Sequence, residues 1–150
     1  MIDKEKFMRA ALKEASKAKA KEEVPIGCVI VLGGKIYARA HNLRQTKRLA
    51  TAHAEILAIE KACRKLGDWR LDGAELYVTL EPCAMCAGAI ANARVSKVYF
   101  GAYEPKGGGV VSKFNILDES GLNHVVAYEG GVLEDECSKK IREFFKARRK

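Results

Sequence analysis

The chain has 150 residues, enough for one domain with a core of its own. No stretch approaches the apolar length of a membrane-spanning helix, which excludes that class. The net charge is +8, and it is lopsided: residues 139–150 hold seven basic groups and one acid, so +6 sits in the last twelve positions. Such asymmetry suggests a polyanionic partner, although a solvated basic tail would look the same.

Phe7, Met8, Ala11, Leu12, Ala15 and Ala18 recur at helical spacing and predict a helix over 3–20. Ile26–Leu32 is a continuous apolar run, the pattern of a strand buried on both faces. Gly33-Gly34 suits a two-residue hairpin turn leading into a partner strand, Lys35–Ala40. A polar, basic loop spans His41 to Arg48. Thr51 is a plausible N-cap for a helix ending near Leu66, with Ile56, Ile59, Cys63 and Leu66 on its apolar stripe. Glu75–Leu80 is the third strand and feeds a helix over Pro82–Asn92, where Pro82 suits the first helical position. Lys97–Gly101 is a fourth strand. Gly107-Gly108-Gly109 reads as a mobile loop and lacks the Lys-Ser/Thr ending of a phosphate-binding loop. His124–Glu129 is a fifth strand, and Leu133–Lys146 a last helix. With neither repeat nor linker, residues 1–150 read as one domain ending in a basic helix. The order αββαβαββα predicts an α/β fold with three α/β/α layers around a mixed five-stranded sheet.

The chemistry concentrates in His53-Ala54-Glu55 and Pro82-Cys83-Ala84-Met85-Cys86. A lone Cys-x-x-Cys is weak, since it fits a redox pair or half of a structural zinc site. Here one imidazole and two thiols make three zinc ligands, His53, Cys83 and Cys86, leaving a fourth position for water as catalytic zinc requires. Cys83 and Cys86, three apart at a helix start, share a face and favour the thiolate form. Position 54 is where a capping box would need Glu or Gln, and Ala54 fills it, so Glu55 is not explained by capping. Glu55 is then the candidate base for the water. The pattern His-x-Glu with Pro-Cys-x-x-Cys is the known signature of zinc nucleobase deaminases, so meeting it is recognition of a motif.

Cys28, Cys63 and Cys137 read as small buried hydrophobes. His41 and His124 have no cysteine nearby and are not expected to bind metal. An odd cysteine count without a signal peptide predicts a reducing, cytoplasmic setting. Phe144 and Phe145 lie inside the basic run. One is expected to anchor the last helix, and an exposed one could stack on bases.

Over nearly its whole length the chain resembles the bacterial tRNA-specific adenosine deaminases. The likeness covers Glu23-Val24-Pro25-Ile26-Gly27, Ala52-His53-Ala54-Glu55 and Leu76-Tyr77-Val78-Thr79-Leu80-Glu81-Pro82-Cys83. It continues through Gly88, Asn123-His124, Phe144-Phe145 and Arg148-Arg149. The zinc motif marks only the deaminase superfamily; the C-terminal part points to the tRNA branch. The resemblance implies a cytidine-deaminase-like fold, a homodimer, one Zn2+ per chain and conversion of the wobble adenosine of an arginine tRNA to inosine. It implies zinc ligands at His53, Cys83 and Cys86 and a proton shuttle at Glu55. Asn42 matches a base-contacting asparagine, although an Asn in a post-strand turn needs no such role. Asn123, Phe145 and Arg149 match positions that hold the anticodon loop. Glu104 departs from the family's usual Asp, placed near the substrate ribose, and Leu49-Ala50 replaces the frequent Asp-Pro before the zinc helix.

Two other functions stay open at this point. A free-base or nucleoside deaminase acting on guanine or cytosine would share the zinc site but have no use for the basic, aromatic tail. A zinc-containing RNA-binding module without catalysis would normally close its metal with four protein ligands, and three are evident.

Overall fold

The structure is a computed structural model that describes residues 3–119, 121–122 and 124–148. Helix α1 (Asp3–Ala20) is followed by the hairpin β1 (Gly27–Leu32) and β2 (Lys35–His41). Gly33 and Gly34 turn it with φ of 62° and 78°, values that a side chain would resist. A one-turn helix α2 (Arg44–Lys47) interrupts the loop expected after β2. Next come α3 (Ala54–Leu66), β3 (Glu75–Leu80), α4 (Ala84–Asn92) and β4 (Lys97–Ala102). A short 3-10 turn (Ile116–Asp118), β5 (Ala127–Glu129) and α5 (Glu134–Arg148) complete the chain.

The sheet order is β2-β1-β3-β4-β5. β1 runs antiparallel to both β2 and β3, while β3, β4 and β5 are parallel, so the sheet is mixed as expected. Alternating side chains feed two cores. Cys28, Ile30, Leu76, Val78, Val98 and Phe100 meet α3 and α4 on one face. Val29, Val31 and Tyr77 meet Phe7, Met8, Ala11 and Leu12 of α1, with Cys137 of α5, on the other. The result is the three-layer α/β/α arrangement. Phe100 is fully buried, and truncating it to Ala would cost about 3–5 kcal/mol.

Four expectations are corrected. The fifth strand is shorter and pairs only through Ala127–Glu129. Helix α3 buries Ala54, Glu55, Ala58 and Ala62, while Ile56, Ile59 and Cys63 are half-buried and Leu66 is 42% exposed. Small residues face the sheet because the helix packs closely upon it, and the bulkier Ile59 and Cys63 pack at the margin of that core. Cys28 and Cys137 are buried as expected, but Cys63 is only half so. Finally, the carbonyl of Ala52 accepts the N–H of Leu43 at 3.0 Å, and the helical ladder begins with Leu57 N–H to the His53 carbonyl at 3.0 Å. His53, not Thr51, is therefore the cap residue of α3.

Because β1 is antiparallel to β3 and β2 to β1, four chain ends gather at one edge of the sheet. The start of β1, the end of β2 and the carboxyl ends of β3 and β4 all face the N-termini of α3 and α4. Crevices at the carboxyl ends of parallel strands are where open α/β sheets bind ligands.

Candidate active site

Two helix starts define the floor of that crevice. His53 caps α3 and Cys83 caps α4, both in extended backbone conformation, and neither uses its side chain to cap its own helix. Pro82 lies just before the cap, two positions ahead of the first helical residue, Ala84. The ring and the thiol are free to face each other. His53 Nδ1 lies 3.7 Å from Cys83 Sγ and 3.5 Å from Cys86 Sγ. Among the described residues, these three form the group able to hold a metal ion, their donor atoms all within 4.8 Å of one another. Zinc bonds of about 2.0–2.1 Å to nitrogen and about 2.3 Å to sulfur at a tetrahedral angle put those atoms about 3.6 Å apart, so the donor set fits zinc in type and spacing.

The electrostatics favour a thiolate at Cys83. Hydrogen bonding from Cys86, then from His53, holds the Cys83 thiol far below the usual thiol range against the opposing effect of burial. Cys86, which gives that hydrogen bond and is buried, moves the other way. Hydrogen bonding to Cys83 raises His53. Glu55, in the first turn of α3, is 4% exposed, and burial pushes its carboxyl up to about 7. It lies beside the ligand cluster without belonging to it. A carboxyl near neutrality suits a group that must both take and give a proton.

A cleft of about 390 Å³ opens above this floor, lined in part by His53, Glu55 and Cys83. Asn42, Glu104 and Phe145, from three separate segments, line it as well. Asn42 follows β2 and is 4% exposed; its Oδ1 accepts the N–H of Arg44 at 3.2 Å and its Nδ2 donates to the Val24 carbonyl at 3.3 Å. The turn role and the cleft-lining position thus coexist. Glu104 directs Oε1 to its own loop, accepting the N–H of Lys106 at 3.0 Å. Phe144 is buried at 7% and anchors α5, whereas Phe145 is 44% exposed and meets it edge to face. Asn123 and Arg149 lie outside the described residues. His41 pairs with Glu14 at 2.9 Å, and His124 with the Val95 carbonyl at 2.8 Å.

Other residues in the cleft went unassigned in the sequence. Arg44 and Lys106 bring positive charge, and Ile141 an apolar surface beside Phe145. Arg44 stood in a loop already seen as basic, and nothing else distinguished it from solvated neighbours.

The sequence profile of the MafB19-like deaminases matches residues 2–149. A tRNA-specific adenosine deaminase of Bacillus subtilis (strain 168) is 54% identical over all of this chain and 93% of its own length. A solved structure from work on A-to-I editing by tRNA:A34 deaminases at the wobble position of transfer RNA superposes with a TM-score of 0.87. It is 46% identical, over 89% of this chain and 97% of that one. A guanine deaminase from Nitrosomonas europaea superposes with a TM-score of 0.79 at 25% identity, over 93% of this chain and 83% of its own. The chain belongs to the deaminases and, among them, to the family of tRNA-specific adenosine deaminases.

Proposed function

We propose that this chain hydrolyses the wobble adenosine of an arginine tRNA to inosine, acting as a single deaminase domain over residues 1–150. One observation carries the reading: a buried carboxyl, Glu55, stands beside three metal donors without joining them, at the floor of a cleft with a basic, aromatic wall. His53, Cys83 and Cys86 would hold one Zn2+. When bound, zinc supplies a Lewis acid that lowers the pKa of water toward neutrality. Glu55 takes a proton from the attacking water and delivers it to a ring nitrogen of adenine; it then takes the second proton from the new C6 hydroxyl and gives it to the amine, which leaves as ammonia while C6 becomes the carbonyl of inosine. Its burial keeps bulk water from competing for those transfers. Asn42, whose Oδ1 accepts from Arg44 and whose Nδ2 gives one hydrogen to Val24, keeps its second Nδ2 hydrogen for an acceptor on the base. Glu104 lies on the ribose side. Phe145 offers a ring on which a neighbouring base stacks, and Asn123 and Arg149 hold the loop backbone. The target base must leave its stack to enter, which costs little in a single-stranded anticodon loop.

A homodimer goes with this reading, and half-buried Ile56 and exposed Leu66 leave apolar groups on α3 available to it. Among the described residues no helix is long and apolar enough to cross a membrane. A cytoplasmic location, where tRNA is met, fits the reading.

The test is incubation of the zinc-loaded protein with an arginine tRNA, followed by sequencing for inosine at the wobble position. Inosine there and nowhere else in the tRNA is expected. Deamination of free guanine or cytosine with an untouched tRNA would overturn the reading in favour of a free-base enzyme. Tight tRNA binding without inosine would overturn it in favour of a binding module.

A further inference from the structure

Two walls of the cleft are built on the segments that follow β2 and β4, and each of these leans on a buried carboxylate that the chemistry does not use. Glu81 is 3% exposed. Its N–H donates to the Ala102 carbonyl at 2.8 Å, extending the sheet past β3. Its carboxylate turns under the loop that leaves β4. There it accepts the N–H groups of Glu104 at 3.0 Å, Val110 at 3.1 Å, Val111 at 2.8 Å and Ser112 at 3.0 Å, together with the Ser112 hydroxyl. Five donors converge on two oxygens, about all that a carboxylate can accept.

The wrapped loop closes back on the peptide that carries the metal ligand. Gly109 N–H donates to the Pro82 carbonyl at 2.6 Å, and Gly108 bridges to Cys83. A side chain at Gly108 would collide with the Glu81 carboxylate, and one at Gly109 with the Cys83 backbone. Two glycines of the run that suggests mobility in the sequence, Gly108 and Gly109, are thus required by close approach, while Gly107 faces open space. Glu104 and Lys106 are held at a set offset from Cys83.

The opposite wall repeats the device. Glu23, between α1 and β1, is 1% exposed. It accepts the N–H of Gln45 at 3.2 Å, the N–H of Thr46 at 2.6 Å and the Thr46 hydroxyl at 2.6 Å, which are donors at the start of α2. The next residues hold Asn42: its N–H donates to the Ile26 carbonyl at 3.0 Å and its side chain to Val24. Arg44 is thereby fixed between two anchored positions. Burying a carboxylate is costly unless every oxygen is satisfied. Apolar packing could have held either loop down. A carboxylate adds direction, because it accepts only amides that point at it, and so it sets backbone register as well as position.

We propose that Glu81 and Glu23 are positioning residues for the substrate: Glu81 sets the wall bearing Glu104 and Lys106, Glu23 sets the wall bearing Asn42 and Arg44, and together they shape the cleft for a nucleotide within an RNA strand. This inference rests on the tRNA-editing reading.

The test is steady-state kinetics of Glu81→Gln and Glu23→Gln on an arginine anticodon stem-loop, with either ribose or 2′-deoxyribose at the target. The amide keeps the size, removes one acceptor oxygen and points an NH2 at the loop's own N–H groups. For each variant KM should rise about tenfold or more while kcat falls less than about threefold, since binding surfaces move and the floor does not. Zinc content should stay at the wild-type value. Glu81→Gln should also shrink the preference for ribose over deoxyribose, because Glu104 rides on that wall; Glu23→Gln should leave that preference in place. Ser112→Ala and Thr46→Ala each remove one hydroxyl donor and should give smaller KM increases in the same direction, which keeps the test decisive if a Gln variant does not fold. Wild-type KM in the variants, or a loss confined to kcat, would overturn the inference. If the wild-type protein itself made no inosine on the stem-loop, the tRNA-editing reading would fall first and take this inference with it.

Discussion

The floor of the cleft and its walls are built by different means. His53, Glu55, Cys83 and Cys86 sit on the first turns of two helices packed against the sheet, close together because those two helices begin at one edge of it. Asn42, Glu104 and Lys106 sit on irregular segments and Arg44 opens the one-turn helix α2; these stretches have little core of their own and are held by hydrogen bonds to Glu23 and Glu81 from behind. A floor made this way has one arrangement, and damage to it should remove the chemistry. Walls made this way can yield by degrees, and damage to them should weaken binding first.

Metal removal is the harshest test of the contrast. One zinc per chain is expected by metal analysis, and a chelator should abolish inosine formation until zinc is returned. A stoichiometry near zero in active protein would break the floor's assignment. Glu55→Ala comes next. It should retain zinc and fold yet lose roughly 10²–10⁴-fold in single-turnover rate, the usual range for a general acid–base group. Wild-type turnover in a zinc-loaded variant would show that the proton moves by another route.

The walls and rim should respond more gently. Deleting residues 146–150 removes four basic groups. Binding to the stem-loop should weaken, and the slope of log K against log salt should flatten by roughly 0.7 for each single-strand phosphate that is no longer neutralised. Arg148 lies 4.9 Å above the Phe144 ring, so melting temperature is the necessary control. An unchanged affinity and slope would take the tail out of the substrate site. Glu104→Gln should cost less activity on RNA than Glu55→Ala and should narrow the preference for RNA over a DNA analogue, since the 2′-OH is what separates them. Equal losses on both would leave Glu104 a purely loop-shaping role.

The smallest effect expected near neutral pH concerns stability. Burial alone would raise the carboxyls of Glu14, Glu23 and Glu81, but their hydrogen-bond partners outweigh it, and all three lie below the ordinary value of 4.5. A depressed folded-state pKa gives stability that is complete above the unfolded value and lost as pH falls through the folded one. Melting temperature should therefore hold above about pH 5 and drop on acidification below 4.5. Glu81→Gln should make that acid limb shallower. An identical limb in the variant would mean that the Glu81 carboxylate does not hold the loop as its hydrogen bonds indicate.

A recognised motif was enough to bring His53, Cys83 and Cys86 forward as a donor cluster with Glu55 beside it, because metal chemistry restricts ligands to few side chains and helix starts set their local reach. Hydrophobic periodicity was enough for the three layers and five strands, because a buried face repeats every 2 or 3.6 residues whatever lies opposite. Periodicity does not say which face of a helix meets the sheet when both are apolar. In α3 the alanines go inward, and only the close packing of helix on sheet decided that. Nor does spacing tell a buried glutamate from a solvated one. Glu23 and Glu81 look like ordinary surface acids until tertiary folding surrounds each carboxylate with amides from segments more than twenty positions away. The donor cluster was legible as a motif because its residue types are chemically rare, whereas the shape of the cleft was not, because it depends on common backbone N–H groups whose direction exists only in the folded chain.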